Sequence, residues 1–283
     1  MEVKTAKYSG YCFGVKRALK ITEEILKKNQ GKKKTKVLTL GSIIHNSGVT
    51  DELAKKGLIS VKELEEIEPG SIFIIRSHGM SPNLIKEIKE RNIKIIDATC
   101  PFVKKAQAST ENLSKNGYFV IIIGNKKHPE VMGIKDYVLN KNYAVIEDET
   151  DVVELPDRKK IGVVVQTTQT IERLSLISGK LLKKTKELLV YNTICNTTIK
   201  RQNSTEKLAK NVDVMIIVGG KNSANTRNLT AISREFNKKT YHIESYKEIK
   251  PEWFKNAKKV GISGGASTPV EDIIDVKKTI EKL

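Results

Sequence analysis

Residues 97–103 read DATCPFV, and they place Cys100 between a strand-like run, KIIDAT at 94–99, and a lysine-rich helical stretch that begins at Pro101. Only two other cysteines occur among the 283 residues, Cys12 and Cys195. A thiol at a strand-to-helix turn in so cysteine-poor a chain raises the question of what it binds. The answer depends on how often a predicted strand followed by a predicted helix recurs along the chain.

The pattern of a short apolar run followed by a helical stretch recurs along the whole chain. Strands are predicted at VLTL (37–40), IFII (72–75), IKII (93–96), FVIII (119–123), IGVVV (161–165), VMIIV (214–218) and VGIS (260–263). Helices, with apolar residues three and four apart, are predicted at 15–28, 81–91, 171–186 and 199–210. This alternation indicates βαβ units with parallel sheets, and strands that are apolar throughout fit sheets covered on both faces. The predicted fold class is therefore α/β.

The cysteines divide the chain into three parts of similar size. They lie at 12, 100 and 195, so that 88 and 95 residues separate them and 88 residues follow the last. We therefore predict three similar α/β domains with mainly parallel sheets, at 14–97, at 98–190, and at 191–283 together with 1–13.

Polar motifs follow nearly all of the predicted strands. They comprise Cys12, His45 and His78 in the first third; Cys100, His128 with Glu130, and Thr167 with Thr168 in the second; and Cys195, Ser223 with Asn225, and Ser267 in the last. Ligands of open α/β sheets bind outside the carboxyl ends of the strands. If the three sheets aim those ends at one centre, all nine motifs converge. The threefold pattern, rather than any single motif, is the evidence.

Each cysteine precedes a predicted helix, whose amino-terminal partial positive charge favours a thiolate. Thiolates suit soft metals and iron–sulfur clusters. Structural zinc usually takes four ligands at close local spacings, which this sequence lacks. A four-iron cluster normally takes four cysteines, so three cysteines leave one iron open to water or to a substrate oxygen.

The remaining motif residues suit an anion and a proton donor. Histidines, small hydroxyl residues and glycine-rich segments such as GGKNSANT offer donors to a phosphate or diphosphate, although neither G-x-x-x-x-G-K-[ST] nor G-x-G-x-x-G occurs. Glu130 is the one carboxylate among these motifs and is the predicted proton donor. We expect Asp97 to order its own turn and His242 to be structural.

The amino-acid composition limits the partners and the cellular compartment that fit this sequence. The formal charge is +18, and only eight of the 51 basic residues are arginines, which favours a solvated Lys/Glu surface that attracts small anions or acidic proteins. A lysine-rich tract lies at 31–36. No apolar run reaches about 18 residues and the start lacks a signal-peptide pattern, so we expect neither a membrane span nor export. Three cysteines do not form a disulfide framework, which predicts a reducing cytoplasm.

At these motifs the sequence resembles the 4-hydroxy-3-methylbut-2-enyl diphosphate reductases, the IspH/LytB family. The matching stretches run from residue 10 to residue 269 in the family's order, namely GYCFGVKRA, IIHN, RSHG, DATCPFV, GNKKHPEV, VQTTQT, GGKNSANTRNL and GGASTP. The resemblance implies a pseudo-threefold trefoil of three α/β domains around a central [4Fe–4S] cluster. It also implies that Cys12, Cys100 and Cys195 hold the cluster and leave one iron open.

The resemblance further assigns roles to the other motif residues. Glu130, Thr167 and Thr168 match the proton-delivery group, and the substrate pocket, chiefly its diphosphate grip, is matched by His45, His78, His128, Thr167, Thr168, Ser223, Ala224, Asn225 and Ser267. The implied reaction is the last step of the non-mevalonate (MEP/DOXP) isoprenoid pathway. It removes an allylic hydroxyl as water, with two electrons and two protons, and yields isopentenyl and dimethylallyl diphosphate.

The implied partners are the allylic diphosphate substrate and reduced ferredoxin or flavodoxin as electron donor, without nucleic acid or membrane. The implied oligomeric state is a monomer or a weak dimer.

The sequence departs from the family at two positions. Many members have two serines in the motif where this chain has Ser223 and Ala224, so the resemblance implies one hydroxyl contact fewer to the diphosphate, while the backbone N–H remains. Tyr11 stands where the family often has Phe, and it keeps a ring beside Cys12.

Two rival classes remain open on the residues alone. A basic RNA-binding protein would explain the charge but not the repeated motifs, and it predicts binding that weakens steeply with salt. A zinc hydrolase built from the histidines and cysteines predicts a colourless protein with zinc.

Overall fold

The computed structural model describes residues 1–30 and 35–283, so residues 31–34 of the lysine-rich tract lie outside the described residues. The described residues form twelve strands: β1 (Glu2–Thr5), β2 (Val37–Leu40), β3 (Leu58–Val61), β4 (Ile72–Ile75), β5 (Lys94–Asp97), β6 (Phe119–Ile123), β7 (Tyr143–Ile146), β8 (Arg158–Val165), β9 (Thr185–Val190), β10 (Val214–Val218), β11 (Thr240–Ile243) and β12 (Lys259–Gly264). They also form nine α-helices: α1 (Phe13–Lys28), α2 (Ser47–Lys55), α3 (Pro82–Glu90), α4 (Pro101–Lys115), α5 (Pro129–Lys135), α6 (Ile171–Leu181), α7 (Asn196–Ala209), α8 (Ala224–Phe236) and α9 (Val270–Glu281).

The strands form three four-stranded sheets with one shared topology. The orders are β3-β2-β4-β5, β7-β6-β8-β9 and β11-β10-β12-β1, and all of these neighbours pair in parallel. If the strands of each sheet are numbered 1 to 4 along the chain, with β1 as strand 4 of the last sheet, all three sheets have the strand order 2-1-3-4. The prediction of three α/β modules with parallel sheets is confirmed.

This strand order creates the same switch point in every sheet. The first and third strands are neighbours at the centre, as in the register that pairs Ile123 with Val165 and Val218 with Gly264. The chain leaves the first strand towards one edge and returns to build the third strand on the other side. A crevice therefore opens at the carboxyl ends of these two strands, which is the usual ligand position in open α/β sheets.

The chain divides into two compact units. Unit 1 comprises residues 1–16, 44–49 and 195–283, and it contains the sheet of β10, β11, β12 and β1. Unit 2 comprises residues 17–43 and 50–194, and it contains the other two sheets. The boundaries of the three predicted domains stay a prediction.

Both faces of the central strands are covered, which explains their unbroken apolar sequence. In unit 1, Ile216 of β10 packs in a cluster with Ile273 and Val276 of α9, whereas Met215 and Ile217 pack in a second cluster with Leu229 of α8. In unit 2 each sheet has a hydrophobic cluster around its first and third strands. The cluster at β2 and β4 contains Leu38, Phe73 and Ile88, and the cluster at β6 and β8 contains Leu113, Val120, Val131 and Val164. Burial of these side chains is the main driving force that fixes each sheet.

One predicted helix is wrong in its last five residues. The helix predicted at 171–186 ends at Leu181, and β9 begins at Thr185 and pairs along β8 from Arg158–Thr185 to Val163–Val190. The residues of β9 are partly exposed, so their sequence lacks the apolar run that marks a central strand. Within the described residues, no helix has both the length and the apolar composition needed to cross a membrane.

Candidate functional site

The shared topology assigns every predicted site residue to one of two kinds of position. Each cysteine follows the fourth strand of a sheet, since Cys12 follows β1, Cys100 follows β5 and Cys195 follows β9. The other motifs follow the first and third strands, which flank the switch point: His45 and His78, His128 with Glu130 and then Thr167, Ser223 with Asn225 and then Ser267. The sequence pattern therefore has a topological cause.

Unit 1 brings together Cys12 and Cys195. The Cys12 N–H donates to the Ala266 carbonyl at 2.9 Å, and its Sγ accepts from the Val15 N–H at 3.4 Å. Cys195 is the N-cap residue of α7, is buried, and has its Sγ 2.9 Å from the Thr197 hydroxyl. Both thiols thus lie at helix starts and next to hydrogen-bonding groups, an environment that stabilises sulfur ligands of a metal cluster.

The expected ease of thiolate formation does not hold for Cys12 on its own. Burial raises the pKa of the Cys12 thiol, while the Val15 N–H and the positive charge of Arg201 act in the opposite direction and Cys195 adds to the rise. Desolvation thus outweighs the helix start at this residue, because a buried thiolate lacks water around its charge. A bound cation would supply that missing compensation.

Arg201 is a feature of unit 1 that sequence analysis missed. Its guanidinium is buried and donates to three carbonyl oxygens, those of Tyr8 at 3.0 Å, Gly264 at 2.7 Å and Gly10 at 2.8 Å. It therefore fixes the segment that carries Cys12 against the end of β12 and brings a permanent positive charge near two thiols. The available signal was a rare arginine six residues after Cys195 in a lysine-dominated chain.

The start of α8 in unit 1 carries two of the polar residues predicted to bind an anion, Ser223 and Asn225. Ser223 is the N-cap residue, and its Oγ accepts from the Thr226 N–H at 3.3 Å, so its own proton can serve another acceptor. Asn225 is 3% exposed, and both polar atoms of its amide lack a hydrogen-bond partner among the described residues. A buried amide without partners costs about 1–3 kcal/mol, so this one is suited to a polar ligand.

His45 and Ser267 lie beside this helix start. The Ser267 hydroxyl donates to the His45 carbonyl at 3.0 Å. A Cβ on Gly220 would stand 3.0 Å from the same carbonyl oxygen, so the glycine permits a close approach of the two segments. Unit 1 therefore gathers His45, Ser223, Ala224, Asn225 and Ser267 around the switch point of its sheet.

Unit 2 positions Cys100 next to the segment of His78. Cys100 is the N-cap residue of α4, and its N–H donates to the Ser77 carbonyl at 3.0 Å. The chain turns at Gly79, which has a φ of +76°, and a Cβ there would stand 2.5 Å from Gln107 Nε2. The turn needs glycine for both reasons, and it holds His78 close to the cysteine backbone.

The His128 ring contacts two other motif residues of unit 2, His78 and Glu130. It packs edge-on against the His78 ring, with centroids 5.5 Å apart and an angle of 81°. Its Nδ1 accepts from the Glu130 N–H at 3.2 Å, which caps α5. Since Nδ1 accepts, a neutral His128 carries its proton on Nε2 and presents a donor there.

Glu130 and Thr167 form a buried hydrogen-bonded pair across the switch point of β6 and β8. Glu130 is 2% exposed. Its Oε1 accepts from the Thr167 N–H at 2.6 Å, and its Oε2 accepts from the Thr167 hydroxyl at 2.9 Å. Burial raises the pKa of Glu130 to about 7, and the two bonds from Thr167 act against that rise. Such a carboxyl exchanges protons near neutral pH, as a catalytic acid requires.

Three further predictions have structural outcomes. Asp97 orders its turn as expected, since its Oδ1 accepts from the Thr99 N–H at 2.9 Å. His242 is structural as expected, with Nε2 2.8 Å from the Gly219 carbonyl oxygen. Of the two threonines, Thr167 contacts Glu130, whereas the Thr168 hydroxyl accepts from Gln166 Nε2 at 3.1 Å.

The donor set fits the implied cluster. Cys12, Cys100 and Cys195 form no disulfide, and each lies at the start of a helix. Sulfur donors of this kind suit an iron–sulfur cluster better than magnesium or calcium, which require oxygen.

A comparison with protein-family models matches residues 3–281 to the model described as LytB protein. A protein of Aquifex aeolicus is 46% identical over 285 residues, which cover 100% of this chain and 97% of that protein. A protein of Geobacter sp. (strain M21) is 43% identical, with 100% of this chain and 99% of that protein covered. Both are named 4-hydroxy-3-methylbut-2-enyl diphosphate reductase.

Two solved structures are similar over the full chain. One is described as (E)-4-hydroxy-3-methyl-but-2-enyl diphosphate reductase, the terminal enzyme of the non-mevalonate pathway; it is 45% identical with a TM-score of 0.72, and both chains are covered fully. The other is described as the E-1-hydroxy-2-methyl-but-2-enyl-4-diphosphate reductase of Plasmodium falciparum. It is 30% identical with a TM-score of 0.92, over 100% of this chain and 87% of that one.

Proposed function

Because the chain belongs to the LytB protein family, we propose that it catalyses the reaction for which its relatives are named, the reduction of 4-hydroxy-3-methylbut-2-enyl diphosphate. The enzyme is an oxidoreductase of the last step of the non-mevalonate isoprenoid pathway. The allylic C–O bond breaks, the hydroxyl leaves as water, and two electrons with two protons yield isopentenyl and dimethylallyl diphosphate.

The observation that carries the chemical assignment is the Glu130–Thr167 pair. Glu130 has its carboxyl buried and its pKa raised to about 7 by that burial, so a large fraction is protonated at neutral pH. We assign Glu130 as the donor of the proton that the departing hydroxyl oxygen requires. Thr167, within hydrogen-bond distance of both carboxylate oxygens, orients Glu130 and can relay its proton. Thr168 is assigned to the same group as a substrate contact.

The diphosphate is assigned to the polar residues at the other switch points. Asn225, with its unpartnered buried amide, and Ser223, with a hydroxyl proton to donate, support an anion at the start of α8. Ser267, His45 and the backbone N–H of Ala224 extend this group within unit 1. His78 and His128 are assigned to the substrate from unit 2, and His128 has a donor on Nε2.

Cys12, Cys100 and Cys195 are assigned as the three protein ligands of a [4Fe–4S] cluster with one iron open. When bound, the cluster supplies electrons and a Lewis-acidic iron for the hydroxyl group. The reduced electron donor is a ferredoxin or flavodoxin. Thiolate ligands of this kind require a reducing compartment, which supports a cytoplasmic location. We assign a monomer or weak dimer as the working form, without nucleic acid or membrane.

The decisive experiment is anaerobic purification followed by iron, sulfide and zinc analysis, and by turnover of the substrate with a small artificial reductant. We expect a brown protein with about four iron and four sulfide per chain and formation of both products. A colourless protein with about one zinc per chain would instead support the hydrolase class. Binding of RNA that weakens steeply with salt, in a protein without iron, would support the nucleic-acid class.

The role of Glu130 is tested with Glu130→Gln, which keeps the shape of the side chain but has no acidic proton. We expect unchanged iron and sulfide and a turnover lowered by about 100-fold or more, because general acid catalysis contributes this much. Glu154→Gln makes the same chemical change at an exposed position and serves as the matched control. Near-normal turnover of the Glu130 variant would remove the residue from the scheme.

A further inference from the structure

The proposed reaction consumes two electrons that the substrate does not carry. In the proposed function these electrons come from a reduced ferredoxin or flavodoxin, which has to reach the protein surface close to a cluster ligand. A surface of this kind has to lie beside one of the assigned cysteines.

The segment around Cys12 carries exposed aromatic side chains. Phe13 follows the cysteine directly and is 57% exposed, and Tyr8 is 38% exposed. Large aromatic side chains are the usual anchors of protein–protein interfaces, and they are uncommon on a surface that is dominated by lysine and glutamate. In this chain aromatic residues make up only 5% of the sequence.

Two lysines that form no ion pair among the described residues flank the Tyr8 ring, and a third lies on the helix that begins at Phe13. The Nζ atoms of Lys7 and Lys200 lie 5.7 Å and 6.0 Å from the centroid of the Tyr8 ring. Lys16 is exposed one helical turn after Cys12, whose carbonyl accepts its N–H at 2.9 Å. Among the ion pairs of the described residues, none includes Lys7, Lys16 or Lys200. We define these five residues, Lys7, Tyr8, Phe13, Lys16 and Lys200, as the Cys12 surface.

The backbone beneath this surface is held in place. The Tyr8 N–H donates to Ser204 Oγ at 3.3 Å, and the Tyr8 carbonyl accepts from the buried Arg201 at 3.0 Å. Arg201 also binds the Gly10 carbonyl, two residues before Cys12. A rigid surface loses little conformational entropy when a partner binds, which favours rapid and reversible association.

We propose that the Cys12 surface is the docking site of the electron carrier, and that this carrier is a small acidic electron-transfer protein. The proposal rests on the proposed function, since only a reductase needs such a partner. The net charge of +18 attracts an acidic partner over long distances, and the unpaired lysines orient it on the aromatic centre. Electron-transfer complexes bury small interfaces, so five residues with two aromatic anchors are a sufficient core.

The test compares two reductants on the same anaerobically purified holoenzyme. One is reduced flavodoxin or reduced ferredoxin, assayed separately, and the other is dithionite-reduced methyl viologen, which needs no protein interface. The variants are Lys7→Glu with Lys200→Glu, and Phe13→Ala. The matched control, Lys180→Glu with Lys183→Glu, makes the same change in net charge at exposed lysines of unit 2.

We expect the Lys7/Lys200 variant to raise the KM for the protein carrier roughly tenfold at low salt, and the difference to shrink as salt is added. We expect Phe13→Ala to raise it roughly tenfold at all salt concentrations, because an apolar anchor is not screened. Iron content and the rate with methyl viologen should stay within about twofold of the parent protein, because neither residue set holds the cluster.

Three outcomes would overturn the docking proposal: an unchanged KM for the carrier in both variants, an equal rise in the Lys180/Lys183 control, or an equal loss with methyl viologen. Failure of the proposed function is distinguishable, because the parent protein would then not turn over the substrate with methyl viologen at all.

Discussion

Removal of one hydroxyl from the Glu130–Thr167 pair tests how the site sets its proton donor. Thr167→Val keeps the approximate shape of the side chain and the N–H that donates to Glu130 Oε1. It deletes only the hydroxyl that donates to Oε2 at 2.9 Å. Both atoms are buried, so water does not readily replace the lost bond.

The magnitude follows from the opposing effects on Glu130. Burial raises the pKa of Glu130 from 4.5 to about 7, and the two hydrogen bonds from Thr167 limit this rise because they stabilise the charged form. A hydrogen bond to a charged group contributes about 1.5–3 kcal/mol, and one pKa unit corresponds to about 1.4 kcal/mol. Loss of the hydroxyl should therefore raise the pKa of Glu130 further, by roughly one to two units.

The assay is the pH dependence of kcat/KM, together with infrared detection of the protonated carboxyl, identified by its absence in Glu130→Gln. The protonated form is the acid, so activity is present below the pKa and is lost as the pH rises through it. We expect this alkaline limb near pH 7 in the parent protein and roughly one to two units higher in Thr167→Val. The maximum value of kcat/KM can fall as well, because Thr167 is assigned to relay the proton.

Thr168→Val is the matched control, because its hydroxyl accepts from Gln166 Nε2, whereas both hydrogen bonds that lower the pKa of Glu130 come from Thr167. Its alkaline limb should stay near that of the parent protein. A limb in Thr167→Val that stays in place or moves to lower pH would show that the hydroxyl does not stabilise the charged carboxylate.

The remaining predictions concern other parts of the chain. Asn225→Leu removes a buried amide without partners, so the substrate-free protein should unfold at an equal or higher temperature. The KM for the substrate should rise about tenfold or more. A lower unfolding temperature with unchanged KM would contradict the assigned role. Ala224→Ser restores a hydroxyl at the start of α8 and should lower KM by up to about fivefold, in line with ~1 kcal/mol, whereas a higher KM would show that the hydroxyl does not reach the diphosphate. Gly79→Ala should destabilise the protein by about 1–3 kcal/mol more than Gly70→Ala. Both glycines have positive φ, but a Cβ on Gly79 would stand 3.2 Å from buried Thr99 and 3.3 Å from buried Val103, whereas a Cβ on Gly70 would meet nothing within 4 Å. Equal denaturant midpoints would exclude crowding. Serine variants of Cys12, Cys100 and Cys195 should each lose most of the iron, and retention of full iron by any of them would remove that cysteine from the ligand set.

The strands that could be predicted from sequence are those covered on both faces. All six central strands were predicted, for example β6 and β10, whose residues are all buried. Five of the six edge strands were missed, namely β1, β3, β7, β9 and β11, and only β5 was found. Edge strands are partly exposed, as in β3 with its two exposed middle residues, so their sequences carry polar side chains and no unbroken apolar run.

The polar motifs that follow first and third strands were predictable because the sequence marks those strands clearly, whereas Cys12 and Cys195 follow the edge strands β1 and β9, which it does not mark. His45, His128 and Ser223 all follow first strands, and the topology explains why their motifs recur. Arg201 was not predictable in the same way, because its role depends on three backbone carbonyls that come from distant parts of the sequence. The pKa of Glu130 likewise depends on complete burial, which spacing alone does not reveal.

The pairing of β1 with β12 has a consequence for biogenesis. Residues 2–5 leave the ribosome long before their hydrogen-bonding partners at 259–262 are synthesised. The Cys12 N–H likewise depends on the Ala266 carbonyl. The segment around Cys12 therefore acquires its final geometry only after residue 266 has been synthesised. A chain that stops before residue 259 would lack both of these contacts.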